Sequence, residues 1–396
     1  MKRTKGSKMA CVALLAWLGV GHVAARKVAL TVSNNGDLQR QEVVGFDLKE
    51  LLQRMQEAEG QTFVIRNIKG QEVDYQITHD GKVLVDASVS PHSTLNLTAE
   101  KGTPRQPKVY VCGKQYPIRK DDIAWENDRG AYRIYGPALQ RTGEKSYGTD
   151  IWVKNTPDLV VEERYLNDLY GNVLGDALDK AHRKAEADSV DLATTFHLDH
   201  GNGMDGYAVG PTLGCGAPAL IVGGKLVLPY CYQSFRILDN GPLRFTVELT
   251  YAPNSLGITE HRRISLDKGS HFNRWTVWYD GVGDDVEFCS GVVVNGNGKP
   301  DLKKNHVTYA DPTDNPRLHN SQIYVAAVFP YNKVETKLSP DKRNAVGVVK
   351  NYHGEPVTYY AGSAWSGYDV RTYPQWQLLV EEFVAGKAQP LQVKME

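Results

Sequence analysis

Neither a dinucleotide-binding glycine fingerprint nor a phosphate-binding loop occurs in the 396 residues, and strands do not alternate with helices as a parallel sheet requires. Nucleotide-dependent chemistry on a doubly wound fold is therefore set aside. An excess of one charge is also lacking, with 46 Lys and Arg facing 46 Asp and Glu. Nucleic-acid binding needs clustered positive charge, so no nucleic-acid partner is expected. The most apolar run lies between Met9 and Val20, too short to cross roughly 30 Å of hydrocarbon as a helix, and no membrane span is expected. Cysteine is scarce, five in all.

What is present begins with that run. Lys2, Arg3, Lys5 and Lys8 precede it and Val23, Ala24 and Ala25 follow it, the pattern of a secretory signal peptide over residues 1–25. A periplasmic or secreted destination follows. Cleavage leaves 42 basic against 46 acidic residues and keeps Cys112, Cys215, Cys231 and Cys289. An oxidising compartment permits disulfides among these four, but their spacing selects no pairing, and buried free thiols are the alternative.

The remaining length favours two domains. Over residues 26–105, short strands at 28–32, 41–46, 62–66, 75–78, 82–86 and 94–98 are separated by turn dipeptides such as Asn35-Gly36, Lys69-Gly70 and Asp80-Gly81, which predicts a small β-sandwich. Residues 47–59 fit one helix, with Leu48, Leu51, Leu52 and Met55 at helical spacing. A linker over 101–107 holds Pro104 and Pro107, and residues 106–396 form the second, larger domain. There Phe245, Val247 and Leu249 alternate with Thr246, Glu248 and Thr250, the mark of a strand with one buried face. One helix is expected at 172–188, with Val173, Ala177, Leu178 and Ala181 inward. The whole reads as all-β, a large antiparallel sandwich preceded by a small one.

The densest chemical stretch places His197, Asp199, His200, Asn202, Asp205 and Tyr207 among four glycines. Histidine beside carboxylate suits proton transfer, because the carboxylate orients the imidazole; the bland alternative is a turn whose aspartates bind backbone amides. The His197, Asp199, His200 spacing is no established metal pattern, so neither metal nor other cofactor is expected. A second stretch holds Trp125, Glu126, Arg129, Arg133 and Tyr135, forked donors and amphipathic rings suited to a carboxylated or hydroxyl-rich ligand. Alternation sends Arg133 and Tyr135 one way, Tyr132 and Ile134 the other. Trp278 and Trp365 add rings that can stack on a sugar or pack in the core.

The motif from Ala124 to Arg129, then Tyr135-Gly136-Pro137, then residues 148–153, 196–201 and 214–216 together resemble a bacterial family, domain of unknown function 4861. The similarity spans about Pro107 to the C-terminus. It implies a galactose mutarotase-like supersandwich with one concave face open to carbohydrate, found beside enzymes that degrade pectin and other uronate-containing polysaccharides. The resemblance implies no catalytic residue.

Three functions follow as expectations: a lyase or hydrolase-type activity on uronate-containing glycans, a mutarotase-like sugar isomerase, or a glycan-binding protein without catalysis. For a lyase, Arg129 or Arg133 would neutralise the uronate carboxylate, His197 or His200 would take the C5 proton and Tyr207 would serve as acid. For an isomerase, His197 would act with Asp205 or Glu126. In either case residues 125–135 and 197–207 are expected to face each other across the concave surface.

Overall fold

The computed structural model describes residues 26–312 and 321–396, so the signal peptide expected at 1–25 lies outside the described residues. Strands dominate, in five sheets of antiparallel pairs.

Two sheets make the N-terminal layers. One runs in the order Arg40–Asp47, Lys82–Val89, Tyr75–Ile77. The other runs Gln392–Met395, Val28–Asn34, Ser93–Lys101, Phe63–Asn67, Glu72–Val73. Alternate side chains Val28, Leu30, Val32, Val83, Val85, Ala87 and Val89 meet between them with helix α1 (Leu48–Met55), which contributes Leu51, Leu52 and Met55. Asp47 caps that helix by accepting from the Glu50 amide at 2.9 Å.

The boundary expected near residue 105 needs a correction. Residues 103–111 do carry no strand or helix, but the last strand of the chain returns to pair with the first, Leu30 opposite Met395 and Val32 opposite Val393. The small unit is built from both chain ends. It is also tied to the rest of the fold by hydrogen bonds from the Leu243 and Arg244 amides to Gln76 Oε1, both 2.7 Å, and by the Lys268 to Asp86 ion pair at 2.6 Å.

The large sandwich packs an eight-stranded sheet against a five-stranded one. The first has the order Tyr232–Asn240, Arg244–Tyr251, Thr259–Asp267, Phe272–Asp280, Val357–Trp365, Gln322–Val328, His306–Pro312, Asp301–Lys303. The second has the order Lys225–Val227, Cys215–Val222, Val286–Val293, Asn344–Val349, Glu335–Leu338. Phe245, Val247 and Leu249 face the core, as their alternation predicted. A further five-stranded sheet, Gly203–Asp205, Thr149–Lys154, Ala131–Ile134, Asp122–Glu126, Cys112–Tyr116, lays one face on this core and carries the candidate site on the other.

After the one-turn α2 (Pro137–Gln140), that second face is covered by α3 (Val161–Lys180), on which α4 (Lys184–Thr194) packs. The helix expected at 172–188 is thus two helices, broken where His182 adopts φ 59°. The expected inward face is also wrong: Val173 is 72% exposed, and Val161, Arg164, Tyr165, Asp168 and Gly171 are the buried residues. Two of these five are charged, so the buried stripe has little hydrophobic contrast and the small apolar residues downstream mimic one. Gly171 is required because a Cβ there would lie 1.7 Å from Thr194 Oγ1.

Helix α5 (Tyr373–Ala388) covers the outer face of the eight-stranded sheet through Trp376 and Val380. Its signals were in the sequence: a capping box from Thr372 to Gln375, Pro374 in the first turn and apolar residues at helical spacing. Thr372→Ala removes one half of that box and should cost about 1 kcal/mol, read as a lower denaturant midpoint with unchanged slope; an unchanged midpoint would show that packing alone sets this helix start. Cys112, Cys215, Cys231 and Cys289 are free thiols in the structure. Among the described residues no helix is long and apolar enough to cross a membrane.

Candidate functional site

The two stretches singled out in the sequence do meet, but not across a concave surface. They are strands of the same five-stranded sheet, with Thr149–Lys154 between them. Strand alternation sends Asp122, Ala124, Glu126, Arg133, Asp150, Trp152 and Lys154 toward α3, while Ile123, Trp125, Tyr132, Ile134, Ile151 and Val153 enter the sandwich core. Close pairing of Gly203 with Lys154 puts Asp205 opposite Trp152. Gly203 has φ +96°, and a Cβ there would stand 2.1 Å from the Val153 carbonyl.

Arg133 is the hub of this face. Its Nε donates to Asp150 Oδ2 at 2.8 Å, and its Nη2 donates to the same oxygen and, at 3.0 Å, to Asp205 Oδ2. Asp122 Oδ2 lies 3.8 Å from Nη1. The guanidinium is flanked by the rings of Tyr135, Trp152 and Phe196, 4.7, 5.2 and 5.8 Å from their centroids. Arg133 and all three carboxylates are buried. Three carboxylates around one cation in a dry site cannot all be ionised cheaply. Burial first, then the Asp205 charge, pushes the Asp150 carboxyl up to about 7; burial also raises Asp122.

A carboxyl raised on folding stabilises the native state below its unfolded value and loses that contribution as pH rises through the folded one. Stability should therefore decline from about pH 4 to about pH 7 on account of Asp150. Asp150→Asn should flatten that part of a profile of melting temperature against pH; a profile identical to the parent would show that Asp150 ionises freely.

The cluster reaches solvent at His197. This imidazole is 61% exposed, with Nδ1 3.7 Å from Asp205 Oδ2 and 3.3 Å from the Asp205 carbonyl. Beside it Arg119 lies over the Phe196 and Tyr165 rings, at 5.0 and 5.7 Å, and pairs with Asp168 at 3.4 Å. The Arg119 side chain is 24% exposed, and its Nε has no hydrogen-bond partner. Arg164 Nη1 and Trp152 Nε1, in the same layer, are likewise without partners. Unpartnered buried donors are uncommon and mark places where water or a ligand completes the site. Arg119 and Asp168 escaped the sequence reading because only the fold brings them beside His197.

The other expected site residues have different surroundings. Asp199 Oδ1 accepts from the Gly201 and Gly203 amides at 2.9 and 2.8 Å, the backbone-binding turn weighed as the bland alternative. His200 Nε2 meets the Thr195 carbonyl at 2.9 Å, so the three residues of the His197, Asp199, His200 spacing do not converge. Among the described residues no group of His, Cys, Asp and Glu has the geometry of a metal site. Asn202 is held by Arg164. Glu126 is buried at the start of α3, where its carboxylate accepts from the Val160 and Val161 amides at 2.9 and 2.8 Å and pairs with Lys154 at 2.7 Å. It satisfies a helix N-terminus that has no side-chain cap of its own.

Tyr207 is buried, its hydroxyl unpartnered and its acidity suppressed by burial and then by Asp311. Trp125 is fully buried and donates to Asn273 at 2.7 Å. Trp365 is buried, and Trp278 stacks on His261 on the outer sheet face, 5.1 Å between centroids. Tyr135 is buried against Arg133. Arg129 lies apart from this cluster and pairs with Asp369 at 2.7 Å.

An uncharacterised protein, P7, of Formosa agariphila is 26% identical over 309 residues, which are 73% of this chain and 70% of that one. Among solved structures, an α-mannosidase from Enterococcus faecalis V583 superposes with a TM-score of 0.50 at 8% identity, over 93% of this chain and 46% of that one. A glycosyl hydrolase family 38 protein from Enterococcus faecalis gives 0.49 at 9% identity, over 93% and 47%. This chain thus spans about half the length of each structure. At 8% identity the likeness to the α-mannosidase is one of fold, and it agrees with the expected all-β sandwich. The family match begins well before the expected Pro107: residues 32–393 fit the family described as Domain of unknown function (DUF4861), so it takes in both N-terminal sheets and the returning C-terminal strand, and the chain belongs to that family.

Proposed function

We propose that this is a secreted carbohydrate-active enzyme that acts on uronate-containing glycans, with its reacting groups at the mouth formed by His197 and Arg119. The observation that carries the reading is the exposed imidazole of His197 set against Asp205, itself part of the buried carboxylate set around Arg133. The likeness in fold to an α-mannosidase supports a carbohydrate substrate, and the apolar run before Ala25 supports export.

The chemistry is β-elimination. Arg119, whose side chain is 24% exposed, exchanges Asp168 for the uronate carboxylate and stabilises the charge that develops when C5 is deprotonated. His197, oriented by Asp205, takes the C5 proton; the C4–O bond breaks, a C4=C5 double bond forms, and the departing oxygen is protonated by a second acid or by water. Arg119 thus takes the role expected of Arg129 or Arg133, because Arg133 is buried between Asp150 and Asp205 and Arg129 lies apart from His197. The same pair would also serve a mutarotase-like isomerase, which changes anomer without changing mass.

Incubation of the protein with pectic and glycosaminoglycan oligosaccharides should produce the ultraviolet absorbance of an unsaturated uronate. Silence across a broad panel, with anomer exchange unaccelerated for galacturonate, rhamnose and galactose, would remove both enzymatic readings and leave binding alone.

A further inference from the structure

A second cluster lies away from the His197 mouth, where three loops meet. Residue 127 closes the turn after Asp122–Glu126, and Asn127 Nδ2 donates to the carbonyls of Asp267 and Ser270, while Asp128 Oδ1 accepts from the Gly269 amide. Tyr368 in turn donates to the Asp128 carbonyl at 3.4 Å. This lattice fixes Arg129, His271 and Asp369 around one atom: Asp369 Oδ2 lies 2.7 Å from Arg129 Nη1 and 3.0 Å from His271 Nε2. Burial works against ionisation of Asp369, but His271 and Arg129 outweigh it and hold the carboxyl below its usual range. With Nε2 committed to Asp369, His271 Nδ1 has no partner among the described residues.

The cluster opens on a cleft of about 290 Å³ between the N-terminal layers, residues 267–272 and α5. Its lining combines Arg129 and His271 with Arg40 and Lys387 on the cationic side and Glu42 and Glu382 on the anionic side. Phe383, half-buried on α5, packs tilted against Phe272 with centroids 4.2 Å apart, carries Lys387 Nζ 4.9 Å from its own centroid, and gives the cleft an aromatic wall. The volume sits just below the range of about 300 to 1,000 Å³ usual for small-molecule sites. A ring face beside fixed donors and acceptors is what a pyranose requires, apolar C–H surface on one side and hydroxyls on the other.

We propose that this cleft is a second saccharide-binding site, which holds one sugar unit through Arg129 and His271 Nδ1 and against Phe383, independently of the site at His197. Asp369 is its positioning residue, since it fixes both the ring and the guanidinium. Because Glu42 already pairs with both Arg40 and Lys387, hydroxyl recognition is the shared chemistry, and a uronate and a neutral hexose are separated by experiment.

The test is calorimetric titration of the full chain with trigalacturonate and, separately, galactotriose. Arg119→Ala, which removes the proposed contact at the His197 mouth, isolates the cleft. In that background binding of at least one probe should persist and should weaken about tenfold on adding His271→Gln, the upper end of the worth of one hydrogen bond. Leu38→Trp, at an exposed lining position that makes no side-chain hydrogen bond, should weaken binding equally by filling the cleft. A preference for trigalacturonate assigns a uronate, and equal affinity a neutral unit. No binding of either probe, or affinities unchanged in both variants at an unchanged melting temperature, would overturn the proposal. Loss of binding by Arg119→Ala alone would do so too and would leave the His197 reading standing.

Discussion

Arg133→Met should lower the free energy of unfolding by about 3 to 5 kcal/mol, the cost of removing one partner from a buried ion cluster. The guanidinium is the cation that Asp150 and Asp205 share within hydrogen-bond distance, and Asp122 faces it at 3.8 Å. Methionine keeps most of the aliphatic contact with Tyr135 and Trp152 but leaves those carboxylates without a counter-charge. The loss should be partly recovered in Arg133→Met with Asp150→Asn, because the second change removes one of the stranded charges, and the two substitutions should be strongly non-additive. Chemical denaturation of the single and double variants gives both quantities. A loss below about 1 kcal/mol, or no recovery in the double variant, would mean that the cluster is hydrated and open rather than dry.

That dryness is what the sequence could not display. Arg133 and Tyr135 share a strand face, as alternation predicts, but whether the face meets solvent depends on α3, whose buried residues include Arg164 and Asp168 and so leave no clean apolar stripe. The strands were legible because period-two patterns end in turn dipeptides; the alternation over Phe245 to Thr250 falls within the strand Arg244–Tyr251. Helix α1 was legible through Leu51, Leu52 and Met55. The pairing of Gln392–Met395 with Val28–Asn34 was not, since nothing local in a four-residue strand says which distant edge it joins. The same holds for the candidate sites. His197 and Asp205 are close in sequence and could be paired by reading, whereas Arg119, Asp168, His271 and Asp369 acquire their partners only through the fold.

Under the proposed function, His197→Ala should reduce kcat on a uronate glycan by about 10² to 10⁴-fold, the usual worth of a general base, with KM little changed. The imidazole is largely in solvent and makes no contact on which the sheet depends, so the variant should fold and bind. Arg119→Lys should behave in the opposite sense. It keeps the charge but loses the fork and the stacking over Phe196, so KM should rise and the fall in kcat should be smaller. Asp205→Asn separates positioning from structure: an amide cannot hold the imidazole as a carboxylate does, so kcat should fall while KM stays, and because Asp205 also meets Arg133 the melting temperature is measured alongside. If His197→Ala retains full turnover while Arg133→Met unfolds the sheet, the buried cluster is a structural ion network and the reacting groups lie elsewhere, with the His271 and Asp369 cleft the place to look.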